Sequence, residues 1–150
     1  MRILAIDPGS ITGYAYFDGS KVSYGVWELY SKRDEGVGYR YIRFKHFLSK
    51  LKQEQGIDVM FYEEVRRHAG VSAAHMYGAI VGHLQAFCEE NKIPYKSIPI
   101  GTWKKHSIGS GNANKEKVLE VMKKKYPELE QQDAADALGI LQYVMERELK

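Results

Sequence analysis

The chain has 150 residues, 44% of them hydrophobic and 27% charged, with a formal net charge of +3. That length and balance are ordinary for one globular domain spanning 1–150 with a real core. No apolar run is long enough to cross a membrane, "MRILAID" lacks the architecture of a signal peptide, and the single cysteine, Cys88, excludes a disulfide framework or a cysteine-built zinc cluster, so a reducing, cytoplasmic setting is expected.

The opening "RILAID" is a short apolar run ended by "PGS", which reads as a buried strand and a turn. "TGYAYFD" and "KVSYGVWELY" are rich in aromatic and β-branched residues and flank "DGS", so a hairpin follows. Three strands therefore open the fold as an antiparallel meander. Val37, Tyr41, Phe44, Leu48 and Leu51 then make one apolar stripe, predicting a helix over about 35–55 that Gly56 stops. "IDVMFYEEV" reads as a central strand, followed by a helix over about 72–91. Gly78 and Gly82 on that helix allow a second backbone to pack close, within the subunit or across a dimer. His75 and His83, eight residues apart, are no local metal pair and read as surface or dimer-contact residues. "IPYKSIPI" is a further strand between Pro94 and Pro99. "GSGNAN" reads as a loop before a helix over about 114–126, which Pro127 ends, and a last helix covers about 132–148. The order βββ-α-β-α-β-α-α describes an α/β fold, a five-stranded mixed sheet flanked by helices.

Charge is unevenly spread. Lys104, Lys105, Lys115, Lys117, Lys123, Lys124 and Lys125 cluster in one segment, and Arg40, Arg43, Lys45, Lys50 and Lys52 in another. Lysine is common on helix surfaces, so these stretches alone give only a modest pointer to a polyanion. The acids are more informative. Side chains alternate along a strand, so Ile3, Ala5 and Asp7 share a face, as do Val59, Phe61 and Glu63. Both strands end an apolar row with an acid, at the C-terminal end of the strand, where functional groups collect. In "EQQDAADALGI", Asp133 and Asp136 share a helix face and border the row Ala134, Leu138, Leu141 and Met145. Acids in a first helical turn also complement the macrodipole, by about 0.3–1 kcal/mol each, so this pair alone is ambiguous. Four carboxylates converging at one end of a sheet would repel and raise one another's pKa unless a cation neutralised them. Hard oxygen donors without cysteine or a histidine cluster suit Mg²⁺ or Mn²⁺. Two such ions, about 4 Å apart, suit phosphodiester cleavage.

"AIDPGSITGYAYFD", "YEEV", "GTWKKHSIGSGNANKEKV" and "DAADALGI" resemble, in order and spacing, the RuvC-type Holliday-junction resolvases of the ribonuclease H-like superfamily. The resemblance spans nearly the whole chain. It implies a ribonuclease H-like fold and a homodimer that cuts four-way DNA junctions symmetrically with Mg²⁺, through an acidic tetrad matching Asp7, Glu63, Asp133 and Asp136. Glu63 rather than Glu64 matches because the family's glutamate is the first acid of its motif. The family's lysines near the scissile phosphate match Lys104 and Lys115. Lys115 also stands in the first turn of a helix, where a cation opposes the dipole. Lys105 and Lys117 are expected at the DNA backbone or in solvent. Arg66 replaces the aromatic residue that bacterial enzymes carry near the junction centre, and Arg66, Arg67 and His68 are expected to touch DNA. A guanidinium stacks on bases or contacts phosphate, so cleavage-site preference is expected to differ. The chain stops soon after its last helix, which fits a phage or other mobile-element relative.

Two other classes compete. A branch resembling RuvX/YqgF, tied to ribosomal RNA processing, fits the "DPG" start and "DAAD" end less well. A branched-DNA binder without catalysis is disfavoured by the intact acidic set, which costs stability unless it does chemistry. "DPGSITG" also resembles the phosphate loop of actin-like ATPases, whose two-domain design 150 residues cannot supply.

Overall fold

The computed structural model describes residues 1–149. All of β1 (Ile3–Asp7) is buried, as its nearly unbroken apolar run requires, and it lies in the middle of a five-stranded sheet. It pairs antiparallel with β2 (Ile11–Phe17) and parallel with β4 (Val59–Glu64). The edges are β3 (Val22–Glu28), antiparallel to β2, and β5 (Tyr95–Pro99), parallel to β4. The order β3-β2-β1-β4-β5 is the expected mixed sheet with its antiparallel opening. At the "DGS" turn the Asp18 carboxylate accepts from the N–H groups of Ser20 and Lys21 at 2.8 and 2.7 Å, and Gly19 takes φ +102°.

Strand alternation divides the core in two. Leu4, Ile6, Met60 and Tyr62 face α1 (Tyr39–Glu54) and α2 (Val71–Glu90), whose Phe44, Leu48, Ile80 and Leu84 fill that side. Ile3, Ala5, Ala15 and Phe61 face the other side. There lie α3 (Ile100–Ser107), α4 (Lys115–Lys125) and α5 (Gln132–Tyr143), the last continuing through a wider helical turn over Val144–Glu148. Gly56 ends α1 as expected, at φ +93° with its N–H on the Leu51 carbonyl.

Four details depart from the sequence reading. Val37 precedes α1 and is exposed, so the buried stripe starts later, at Tyr41 and Phe44. His83 stacks on Tyr41, with ring centroids 5.1 Å apart, instead of lying free on the surface. A Cβ on Gly78 or Gly82 would meet nothing within 4 Å, so neither glycine serves close packing inside the subunit. Finally, α3 was not expected. The chain turns at Pro99 straight into a helix that buries Trp103 and Ser107, spaced i, i+4, in a segment to which the sequence pattern assigned no element.

The last helix is also more deeply embedded than its pattern suggested. Every residue from Ala134 to Leu141 is buried, because α5 lies on β1, β2, β3 and β4 and is covered from outside by α3 and α4. Two glycines permit this depth. A Cβ on Gly13 would stand 1.8 Å from the Asp133 carbonyl oxygen, and one on Gly139 would stand 2.4 Å from the Trp103 ring.

Candidate metal centre

The parallel register sets Ile6 opposite Tyr62, so the acids that follow, Asp7 and Glu63, end neighbouring strands on the face that α5 covers. Asp136 arrives from α5 itself. One carboxylate oxygen from each of Asp7, Glu63 and Asp136 lies within 4.8 Å of the other two, and all three side chains are at least nine-tenths buried. Asp133 stands outside this trio, half-buried at its mouth. Lys115, the first residue of α4, bridges the two levels, with Nζ 2.9 Å from Asp136 Oδ2 and 3.4 Å from Asp133 Oδ1. Asn114 caps that helix, accepting from the Lys117 N–H at 2.8 Å, and so fixes where Lys115 begins.

Burial and mutual repulsion hold protons on this cluster. Burial, then the charges of Glu63 and Asp136, push the Asp7 carboxyl well above the usual carboxylate range. Glu63 is pushed up to about 7, by burial first and Asp136 second, against the pull of a hydrogen bond from Trp103. Asp136 is raised by burial although Lys115 opposes it. Burial also works against the Lys115 ammonium, but the fields of Asp136 and Asp7 prevail and raise it.

The donor set fits a hard divalent cation. It consists of carboxylate oxygens from three separate elements, and Asp136 Oδ1 is buried without a hydrogen-bond partner. Asp7, Glu63 and Asp136 would hold such an ion, while Asp133, predicted as a fourth ligand, is not among the carboxylates brought together. Meanwhile the Lys115 ammonium supplies the positive charge that these oxygens attract.

The remaining sequence-predicted residues surround the trio at varying distance. Lys104 makes no hydrogen bond to the carboxylates. Its Nζ donates to the Ala113 carbonyl at 2.9 Å and sits 5.8 Å from the Trp103 ring centroid, tying α3 to the loop before α4. Lys105 is exposed beside a cleft shared with Thr102, His106, Tyr143 and Arg147. Lys117 is exposed, 3.7 Å from Glu120. Arg66 and Arg67 are exposed on the loop after β4, and Arg66 Nε donates to Glu64 at 2.9 Å. His68 leans on Tyr77, their ring centroids 5.0 Å apart. Glu64 points to the other side of the strand, accepting from Ser97 Oγ at 3.2 Å, and is not part of the trio.

Two residues of the site went unnoticed in the sequence. Trp103 Nε1 donates to Glu63 Oε2 at 2.9 Å. Tyr77 Oη donates to the Glu63 carbonyl at 2.8 Å and accepts the Val65 N–H, bracing the backbone as it leaves β4. A tryptophan inside a lysine-rich segment was the available signal for the first. Nothing in the spacing marked the second.

No protein-family model matches the chain. The crossover junction endodeoxyribonuclease RuvC of Polynucleobacter asymbioticus is 29% identical over 93% of this chain and 86% of that protein. The structure resembles Thermus thermophilus RuvC solved in complex with a Holliday junction substrate, with TM-score 0.75 and 21% identity over 93% of this chain and 90% of that one. A second Thermus thermophilus RuvC structure gives TM-score 0.71 at 18% identity, over 97% of this chain and 96% of that one. The yeast mitochondrial Holliday junction resolvase gives 0.59 at 19%, over 93% of this chain and 76% of that one. The sequence relative bears out the resemblance to RuvC-type resolvases, and the structures bear out the ribonuclease H-like fold.

Proposed function

We propose that residues 1–150 form a single nuclease domain that resolves four-way DNA junctions, or other branched DNA, by paired symmetric nicks. The observation that carries this reading is the buried trio Asp7, Glu63 and Asp136, in a chain whose sequence relative is a crossover junction endodeoxyribonuclease. Likeness to a RuvC solved on a Holliday junction supports the substrate. Mg²⁺ or Mn²⁺ is the cofactor, two ions per site, and these would stabilise the attacking and leaving oxygens of phosphodiester hydrolysis.

The chain's own groups bind and orient. Asp7, Glu63 and Asp136 hold positive charge at the end of the sheet, with Asp133 at the rim. Lys115 Nζ is held between Asp136 and Asp133. When those acids are neutralised the ammonium is released to bind the scissile phosphate. Lys104 stands one layer back and adds positive potential at the mouth. Arg66, Arg67 and His68 meet the DNA near the junction centre, where Arg66 stacks on a base or grips phosphate. Lys105 and Lys117 contact the backbone further out, so binding depends steeply on salt. Two sites are needed for two nicks, and a homodimer supplies them. The open face of α2 at Gly78 and Gly82 lets a second copy approach closely. The protein acts in a bacterial or phage-infected cytoplasm. Among the described residues no helix is long and apolar enough to cross a membrane.

The test is an immobile synthetic four-way junction, incubated with the protein and with its Asp133→Asn variant, with and without Mg²⁺. Paired symmetric nicks that need the metal and vanish in the variant are expected. Tight binding without cleavage in Mg²⁺ or Mn²⁺ would make the chain a binding module. Cleavage of structured RNA in place of DNA would move it to the RuvX-like branch.

A further inference from the structure

Trp103 is the largest fully buried side chain of the protein, yet it is placed by a notch rather than by an ordinary apolar contact. The notch is Gly139 on α5, where any Cβ would stand 2.4 Å from the ring. The indole thus reaches past α5 to Glu63 on β4, and its N–H meets Oε2 at 2.9 Å. An indole N–H buried in a core needs an acceptor, and a buried carboxylate needs a donor. Other apolar residues would fill the same volume without polar atoms. The bond is the only side-chain hydrogen bond that Glu63 makes among the described residues. Asp136 Oδ1, by contrast, has no partner.

We propose that Trp103 is a positioning residue for the metal centre: its indole N–H engages Glu63 Oε2, locks the carboxylate rotamer and leaves Oε1 as the oxygen offered to the cation. This rests on the cation-binding reading of Asp7, Glu63 and Asp136. A carboxylate free to turn would present either oxygen and would lose rotational freedom when a cation bound. One held by a rigid, buried donor is already set. Partners of this kind, one shell out from a metal, typically change affinity by about 10–100-fold when removed. The same indole lies beneath Lys104, whose Nζ is 5.8 Å from its ring centroid, so α3 brings the orienting donor and a cation to one edge of the site.

The experiment measures Mn²⁺ affinity by calorimetry on the full chain, comparing wild type with Trp103→Phe and with 3-benzothienylalanine at position 103. The second replacement keeps the bicyclic shape and exchanges the N–H for sulfur, so it decides the matter even where Trp103→Phe fails to fold. Metal-free affinity for a four-way junction is measured alongside. The expected result is Mn²⁺ binding weakened about tenfold or more in both replacements, with junction affinity in EDTA unchanged. Wild-type Mn²⁺ affinity in the benzothienyl protein would overturn the proposal and reduce Trp103 to a packing residue. Absence of Mn²⁺ binding by wild type would overturn the cation reading itself, and Trp103's role with it.

Discussion

Replacing Asp7 by asparagine keeps the side chain's shape and deletes one of three buried carboxyl groups whose ionisation burial opposes, without removing any hydrogen bond to Lys115. The oxygens of the trio lie within 4.8 Å of one another. At that distance two unit charges repel by about 3 kcal/mol in a medium of effective dielectric about 20. Asp7 has two such neighbours, but the metal-free protein avoids the full repulsion by keeping a proton on the cluster. The attraction of Lys115 offsets more. The net relief in Asp7→Asn is then about 1–3 kcal/mol at pH 8. For a domain of this size that raises the unfolding midpoint by about 2–10 °C. The assay is thermal unfolding in EDTA and across a Mg²⁺ titration, with junction cleavage in parallel. Wild type should gain stability from Mg²⁺ by mass action. The variant should begin higher, gain far less and cut nothing. A variant that melts lower than wild type in EDTA, or keeps the full Mg²⁺ shift, would refute the picture of Asp7 as a buried carboxyl whose ionisation is unfavourable until a cation binds.

Glu63, held at about 7 against an ordinary 4.5, keeps a proton in the folded protein that the unfolded chain has already lost. Metal-free stability should therefore fall as pH rises from about 4.5 to 7, by at most about 1.4 kcal/mol per pH unit. Urea titrations across that window should show a flatter profile in Glu63→Gln. Lys115→Met leaves Asp136 without its 2.9 Å partner. It should lower metal-free stability by about 1–2 kcal/mol, discounted because Lys115 is half exposed, and should enlarge the stabilisation by Mg²⁺ seen in a thermal melt. Gly13→Ala drives a methyl group into the Asp133 backbone and should cost about 1–3 kcal/mol or more. Urea stability and junction cleavage should fall together, because the first two turns of α5 carry Asp133 and Asp136.

The sheet was readable because its signals are local. Apolar runs, the "DGS" turn and the alternation that ends β1 and β4 in Asp7 and Glu63 are all written within a few residues. The face shared by those two acids followed from strand parity alone, and the two cores divide along it. What escaped were features set by partners distant in sequence. The α3 segment carries lysines, glycine and only a short apolar spacing, so it becomes a helix through Trp103 meeting Gly139 and Glu63, 36 and 40 positions away. The α5 helix looked one-sided because Gly139 and the alanines give no strong apolar signal. Their small size is what lets neighbours close in on every side. Asp133 and Asp136 looked equivalent at i, i+3, yet the packing of α5 buries the second and leaves the side chain of the first 33% exposed.

That asymmetry bears on why the site has the form it does. A trio of buried carboxylates is unfavourable for folding, and the core around it offers little to offset the repulsion. The compensating groups come from the outer layer instead. Lys115 is brought by the capped start of α4, Trp103 by the notch in α5, and Lys104 fastens the two helices by gripping the Ala113 carbonyl. Apolar helices covering the sheet would need none of these contacts. Two of the three are cations, but only Lys115 lies on the carboxylates themselves, and under the proposed function it is the one that exchanges them for a phosphate once other positive charge arrives. Lys115 even begins a helix, in the turn where its charge opposes the dipole. A residue held against the local electrostatic preference by the acids it faces is poised to move when they are neutralised. The outer layer thus stabilises the metal-free fold with the same ammonium group that the proposed function assigns to the scissile phosphate.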